Sequence, residues 1–166
     1  AAQSDFVGAA FFILLGALMD LLDGRIARLV GATSELGLQL DSLCDAISFC
    51  LAPAFLVYSW SLNEMGFVGF FACALFLLAG LLRLARFNLT SDDQSVFFLG
   101  IPTTIAGCFL AIFFLNARNA SLKPPFLLFI TILMVCLAYL MVSSIQFPTF
   151  KRVAKKKAWY VVALLG

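Results

Sequence analysis

Five apolar runs, each about long enough to cross a bilayer, divide this chain, with short polar stretches between them. A helix needs roughly 20 apolar residues to cross a hydrocarbon core of ~30 Å. The runs read as spans at Phe6–Leu22, Gly37–Trp60, Met65–Leu84, Phe97–Leu115 and Pro125–Phe147. Lipid offers no partner for backbone polar groups, so runs of this length are expected to be helical. The expected fold is all-α, a polytopic transmembrane helix bundle. Composition agrees: 63% of residues are hydrophobic and 12% charged, where a soluble domain has about 25% charged. Pro102 falls near the start of the fourth span, where a first-turn proline is tolerated. The chain starts at Ala1, not Met, and ends within Trp159–Gly166, an apolar stretch too short to span. Both ends read as cuts, with a further helix expected at each, around a single domain covering residues 1–166.

The polar stretches alternate in charge. Arg25, Arg28, Arg83, Arg86, Lys151, Arg152, Lys155, Lys156 and Lys157 share one side of the expected topology. The other side holds Arg118 and Lys123, beside Asp5 and Glu64. The positive-inside rule makes the first side cytoplasmic. No basic run is interleaved with stacking aromatics, so a nucleic-acid partner is not expected. The five cysteines form no C-x-x-C pair and read as small core hydrophobes. There is no histidine, which excludes a histidine general base, a Ser-His-Asp triad and a histidine-bound metal.

Four of the nine acidic residues crowd into one stretch that opens on the basic side: Asp20, Asp23, Asp41 and Asp45. Carboxylates at the edges of apolar runs are costly unless something positive meets them. Asp20, Asp23, Gly24 and Ala27 are spaced i, i+3, i+4, i+7, one face of a helix. Gly37, Asp41 and Asp45 are spaced i, i+4, i+8, again one face. Gly31, Thr33 and Ser34 supply a turn between, with Thr33 or Ser34 as N-cap. Two antiparallel helices can thus turn four carboxylates toward one point, an all-oxygen cluster suited to hard divalent cations. Arg28 alone cannot neutralise four such charges. Solvated helix-end carboxylates would explain one or two of them, but four on two facing surfaces fit that poorly. Glu35 sits off the Asp41 face, near a helix start, where an acid suits the dipole. Gly24, Ala27 and Gly37 leave open floor, either for close helix packing or for a ligand.

Residue for residue, the stretch D-x2-D-G-x2-A-R-x8-G-x3-D-x3-D resembles the signature of the CDP-alcohol phosphotransferase family, eight fixed positions across 26 residues. The resemblance implies that Asp20, Asp23 and Asp41 bind divalent metal, two ions of Mg²⁺ or Mn²⁺. Asp45 would complete the metal set and act as the base. Gly24, Ala27, Arg28 and Gly37 would line the cytidine diphosphate pocket. Two later segments, Arg83-Leu84-Ala85-Arg86-Phe87-Asn88 and Gly100-Ile101-Pro102-Thr103, are similar to the phosphatidylserine synthase branch, as is Ile145-Gln146-Phe147-Pro148. The family usually has six core helices, one of them ahead of the signature helix, and that one is missing from this sequence. It also implies a homodimer.

The reaction this implies is transfer of a phosphatidyl group from CDP-diacylglycerol to the hydroxyl of L-serine, within membrane lipid, with release of CMP. Arg83, Arg86 and Asn88 end a helix on the same side as the aspartates and would bind the acceptor. Arginine grips carboxylate or phosphate bidentately, although a helix-end arginine pair can also be simple anchoring with snorkelling side chains. The same chemistry could serve glycerol 3-phosphate or an inositol phosphate. A divalent-cation transporter would also place carboxylates in a membrane protein, but there the ligands tend to lie near the midplane on broken helices, often in inverted repeats. No internal repeat is visible here.

Overall fold

The computed structural model describes residues 2–30, 35–90, 98–143 and 146–147. They form a helical bundle: α1 (Ala2–Val30), α2 (Glu35–Asp45), a π-helical turn (Ala46–Leu51), α3 (Ala52–Trp60), a short 3₁₀ turn (Leu62–Met65), α4 (Phe67–Thr90), α5 (Thr103–Ala117) and α6 (Pro124–Val142). Four helices are long and apolar enough to cross a bilayer: Asp5–Ile26, Leu36–Trp60, Phe67–Leu89 and Pro124–Val142. Thr103–Ala117 is a shorter apolar helix.

The expected all-α bundle is therefore present, with three boundaries corrected. The first helix does not stop at Leu22 but runs through the aspartates to Val30. The fourth span does not start at Phe97. Phe98–Leu99 is a short strand, and α5 begins at Thr103 behind Pro102. The fifth span ends at Val142, not Phe147, because Gln146–Phe147 pairs antiparallel with Phe98–Leu99. Gly100 explains the break. Its φ of +75° is left-handed, and a Cβ there would meet the Met141 carbonyl oxygen at 2.5 Å. Only glycine turns comfortably so close to another backbone. Pro102 then sits at the N-cap position, so it does not kink α5. The expected caps Thr33 and Ser34, the Lys151–Lys157 cluster and the Trp159–Gly166 run lie outside the described residues.

The second span forms the centre of the bundle. On one side, Phe49 and Leu56 pack with Ala10 and Ile13 of α1 and with Ala111 and Phe114 of α5. On the other, Ala54 and Val57 pack with Phe76 of α4, Leu110 of α5, and Ile130 and Met134 of α6. Trp60 closes the end away from the aspartates, edge-on to Phe113, Phe114 and Phe126 at centroid distances of 6.4, 5.2 and 6.4 Å. Such edge-to-face aromatic contacts add stabilisation beyond area burial.

The π turn follows Asp45 directly and takes up more residues per turn than an α-helix. Two glycines let neighbouring helices close on it. A Cβ at Gly107 of α5 would stand 2.7 Å from the Phe49 carbonyl oxygen, and one at Gly80 of α4 would strike the Cys50 sulfur. Cys50 is fully buried and packs with Ala46 and Leu84 in a small cluster. The π turn is thus gripped by α4 and α5, and α2 with its two aspartates extends beyond that grip.

Candidate active site

The last turns of α1 carry Asp20, Asp23 and Gly24, and α2 carries Gly37, Asp41 and Asp45. Asp20 and Asp45 are half-buried, while Asp23 and Asp41 are exposed. Their carboxylates lie within electrostatic reach of one another: Asp20 feels Asp41 and Asp23, and Asp45 feels Asp20 and Asp41. The two helix faces deduced from spacing are therefore brought to the same end of the bundle. Ala27 and Arg28 continue α1, but their side chains lie outside the described set.

Among the described residues, no three acidic, cysteine or histidine side chains are drawn close enough to close around one ion. Like charges gathered in a partly apolar setting repel, and exposed aspartates such as Asp23 and Asp41 turn outward to solvent. The donor chemistry nonetheless fits a hard divalent cation: the available groups are carboxylate oxygens, on two helices, partly withdrawn from water.

Arg83 supplies positive charge from the opposite wall. Its guanidinium interacts electrostatically with Asp45 and lies beside Cys50. Its Nε is buried and has no hydrogen-bond partner among the described residues. A buried charged donor left unsatisfied is costly, so this atom suits an anionic ligand. Arg86 goes elsewhere. It is exposed, and one of its terminal nitrogens reaches the Val142 carbonyl oxygen at 3.5 Å, at the C-terminal end of α6, where a cation suits the helix dipole. Positions three apart differ by about 60° around a helix. Because α4 lies between the π turn and α6, that offset sends the two arginines to different neighbours. Asn88 turns toward α2: its Nδ2 donates to the Ser42 hydroxyl at 3.1 Å.

Ser42 carried no functional signal in the sequence. It lies beside Asp41 but off the carboxylate face, and its partner is 46 positions away. Gly80, Gly107 and Cys50 were likewise silent. A lone glycine or cysteine in an apolar run does not reveal what it packs against.

The site thus joins four carboxylates, small residues at Gly24 and Gly37, and one inward arginine. A family model described as CDP-alcohol phosphatidyltransferase matches residues 1–143. The chain belongs to the CDP-alcohol phosphatidyltransferase family. It is similar to a CDP-diacylglycerol–serine O-phosphatidyltransferase of Helicobacter pylori strain 26695, 36% identical over 173 aligned positions, covering 99% of this chain and 70% of that protein. It also resembles the Bacillus subtilis protein of the same name, 37% identical over 145 positions, covering 87% and 76%. An archaetidylserine synthase of Methanothermobacter thermautotrophicus is 36% identical over 143 positions, covering 84% of this chain and 58% of that protein. As a CDP-alcohol phosphatidyltransferase with four bilayer-length helices, the protein is an integral membrane enzyme. Membership sets it among phosphotransferases rather than divalent-cation transporters. Divalent-metal dependence is general in this family.

Proposed function

We propose that this protein makes phosphatidylserine, transferring the phosphatidyl group of CDP-diacylglycerol to the hydroxyl of L-serine and releasing CMP. The observation that carries the reading is the meeting of Asp20, Asp23, Asp41 and Asp45 with Arg83 at one end of an apolar bundle. The relatives' names support serine as the acceptor.

In this reading the serine oxygen bonds to the phosphorus that bears diacylglycerol, and the bond from that phosphorus to CMP breaks. Asp20, Asp23, Asp41 and Asp45 would hold two divalent ions, Mg²⁺ or Mn²⁺, which when bound neutralise charge on the diphosphate. Asp45 also accepts the hydroxyl proton as serine attacks. With no histidine in the chain, a carboxylate is the natural base. Arg28 binds the diphosphate, and Gly24, Ala27 and Gly37 let the nucleotide lie close to the backbone. Arg83, Arg86 and Asn88 form the acceptor end, with Arg83 holding the serine carboxylate beside Asp45. Arg83 alone of the two arginines faces Asp45, while Arg86 reaches α6. A single inward guanidinium suits a carboxylate better than the doubly charged phosphate of glycerol 3-phosphate or an inositol phosphate. The site opens on the cytoplasmic side, since nine of the eleven basic residues lie there in the expected topology. The working form is a homodimer in membrane lipid.

Exchanging each arginine for lysine tests the acceptor assignment. A planar bidentate fork is lost while charge is kept. Losing a charge-assisted pair is worth about 1.5–3 kcal/mol, which is roughly a tenfold to hundredfold effect. Arg83→Lys should therefore raise the serine KM by that factor and leave CDP-diacylglycerol affinity nearly unchanged. Arg86→Lys should change the serine KM far less. If Arg83→Lys instead weakens the CDP-lipid and spares serine, Arg83 holds a lipid phosphate and the acceptor assignment fails.

A further inference from the structure

α2 carries two of the four carboxylates yet has a thin hold on the bundle. Leu36, Leu38, Leu40 and Leu43 are all exposed. Among the described residues its backbone neighbours lie chiefly in the π turn that follows it. A helix attached mainly through one end is poorly fixed in rotation about its own axis. Rotation by a single residue position, about 100°, would swing Asp41 and Asp45 away from Asp20 and Arg83.

One polar contact opposes that rotation. The Asn88 amide of α4 lies against the Ser42 hydroxyl of α2, with Nδ2 at 3.1 Å and Oδ1 at 3.2 Å. The Ser42 hydroxyl also stands 3.1 Å from the Leu38 carbonyl oxygen. A hydroxyl has one proton and two acceptor lone pairs. It can therefore donate to Leu38 or to Asn88 while accepting from the Asn88 Nδ2 throughout. Ser42 and Asn88 line a groove of about 230 Å³ between α2 and α4 whose walls include Leu43, Ala46 and Leu84. In that apolar, half-buried setting a lost hydrogen bond is poorly replaced. Ser42 lies between Asp41 and Asp45 in sequence, and Asn88 lies one helix end beyond Arg83, so the contact ties the two walls of the site together.

We propose that Ser42 is a positioning residue whose hydrogen bond to Asn88 sets the rotation of α2, and so holds Asp41 and Asp45 toward Asp20 and Arg83. The inference rests on the reading that these aspartates do the chemistry.

The test uses the full chain, purified and reconstituted in lipid, with CMP release from CDP-diacylglycerol as the readout. The variants are Ser42→Ala, Ser42→Thr, Asn88→Ala and the double Ser42→Ala/Asn88→Ala. Losing a net hydrogen bond of about 1–1.5 kcal/mol predicts a fall in kcat of roughly tenfold for Ser42→Ala. Its serine KM should stay within about twofold, because the residue acts through the carboxylates rather than on serine. Ser42→Thr keeps the hydroxyl and should restore most of kcat. The double variant should lose no more kcat than the worse single, since both remove the same bond. The inference is overturned if kcat is unchanged in Ser42→Ala, if serine KM rises while kcat holds, or if the two losses simply add. If Ser42→Ala does not fold, Ser42→Cys, nearly the same size with a weaker hydrogen-bonding group, serves the same comparison, with unchanged kcat again counting against the proposal. Asp45→Asn, run alongside, checks the underlying reading separately: near-normal turnover there removes the role of Asp45 whatever Ser42 does.

Discussion

Changing Asp45 to Asn should lower kcat by about 10²–10⁴-fold, the usual contribution of a positioned general base, while CDP-diacylglycerol still binds. Asn keeps the size and one oxygen of the side chain but cannot take up a proton. The position argues for the role. Asp45 is half-buried at the last residue of α2, within electrostatic reach of Asp20, Asp41 and Arg83. It is thus the carboxylate that faces both the other aspartates and the arginine assigned to serine. CMP release at saturating serine, paired with a direct lipid-binding measurement, separates the two properties. Near-normal turnover in Asp45→Asn would show that another group accepts the proton.

Removing divalent metal should have a still larger effect. Asp20, Asp23, Asp41 and Asp45 gather negative charge where the substrate brings a negatively charged diphosphate, and Arg28 and Arg83 cannot balance both. Excess EDTA should reduce CMP release to background, and added Mg²⁺ or Mn²⁺ should restore it. Asp20→Asn and Asp41→Asn should lose metal and, with it, nucleotide-lipid affinity, which sets them apart from Asp45→Asn. Full turnover in excess EDTA would end the metal assignment for all four aspartates.

Much of the architecture was legible because lipid imposes a length rule. Apolar runs of about 20 residues leave few choices, and the helices centre where the runs do. Boundaries were less legible, since apolar character and helicity are different properties. Phe98 and Leu99 are as apolar as any helix interior, yet Gly100 and Pro102 end the helix there by backbone geometry. The grouping of the aspartates was visible because the i, i+3, i+4 pattern needs only local helix geometry. The π turn after Asp45 was not visible. No residue type signals it, and its place depends on Gly80 and Gly107 in two distant helices. The parting of Arg83 from Arg86 was hidden for the same reason: spacing puts them near one face, but what lies beside α4 decides where each goes. Ser42 is the clearest case. Its partner is remote in sequence, and a serine in an apolar helix is unremarkable until the fold brings Asn88 against it.

The central claim is the transfer of a phosphatidyl group to serine, and product analysis tests it most directly. The reconstituted protein is given CDP-diacylglycerol and Mg²⁺ with L-serine, glycerol 3-phosphate or an inositol phosphate in turn, and both CMP and the lipid product are quantified by mass. The expected result is CMP and phosphatidylserine in equal amounts with serine, and only background CMP with the other two acceptors. A lipid bearing a different headgroup, formed while serine stays unreacted, would contradict it.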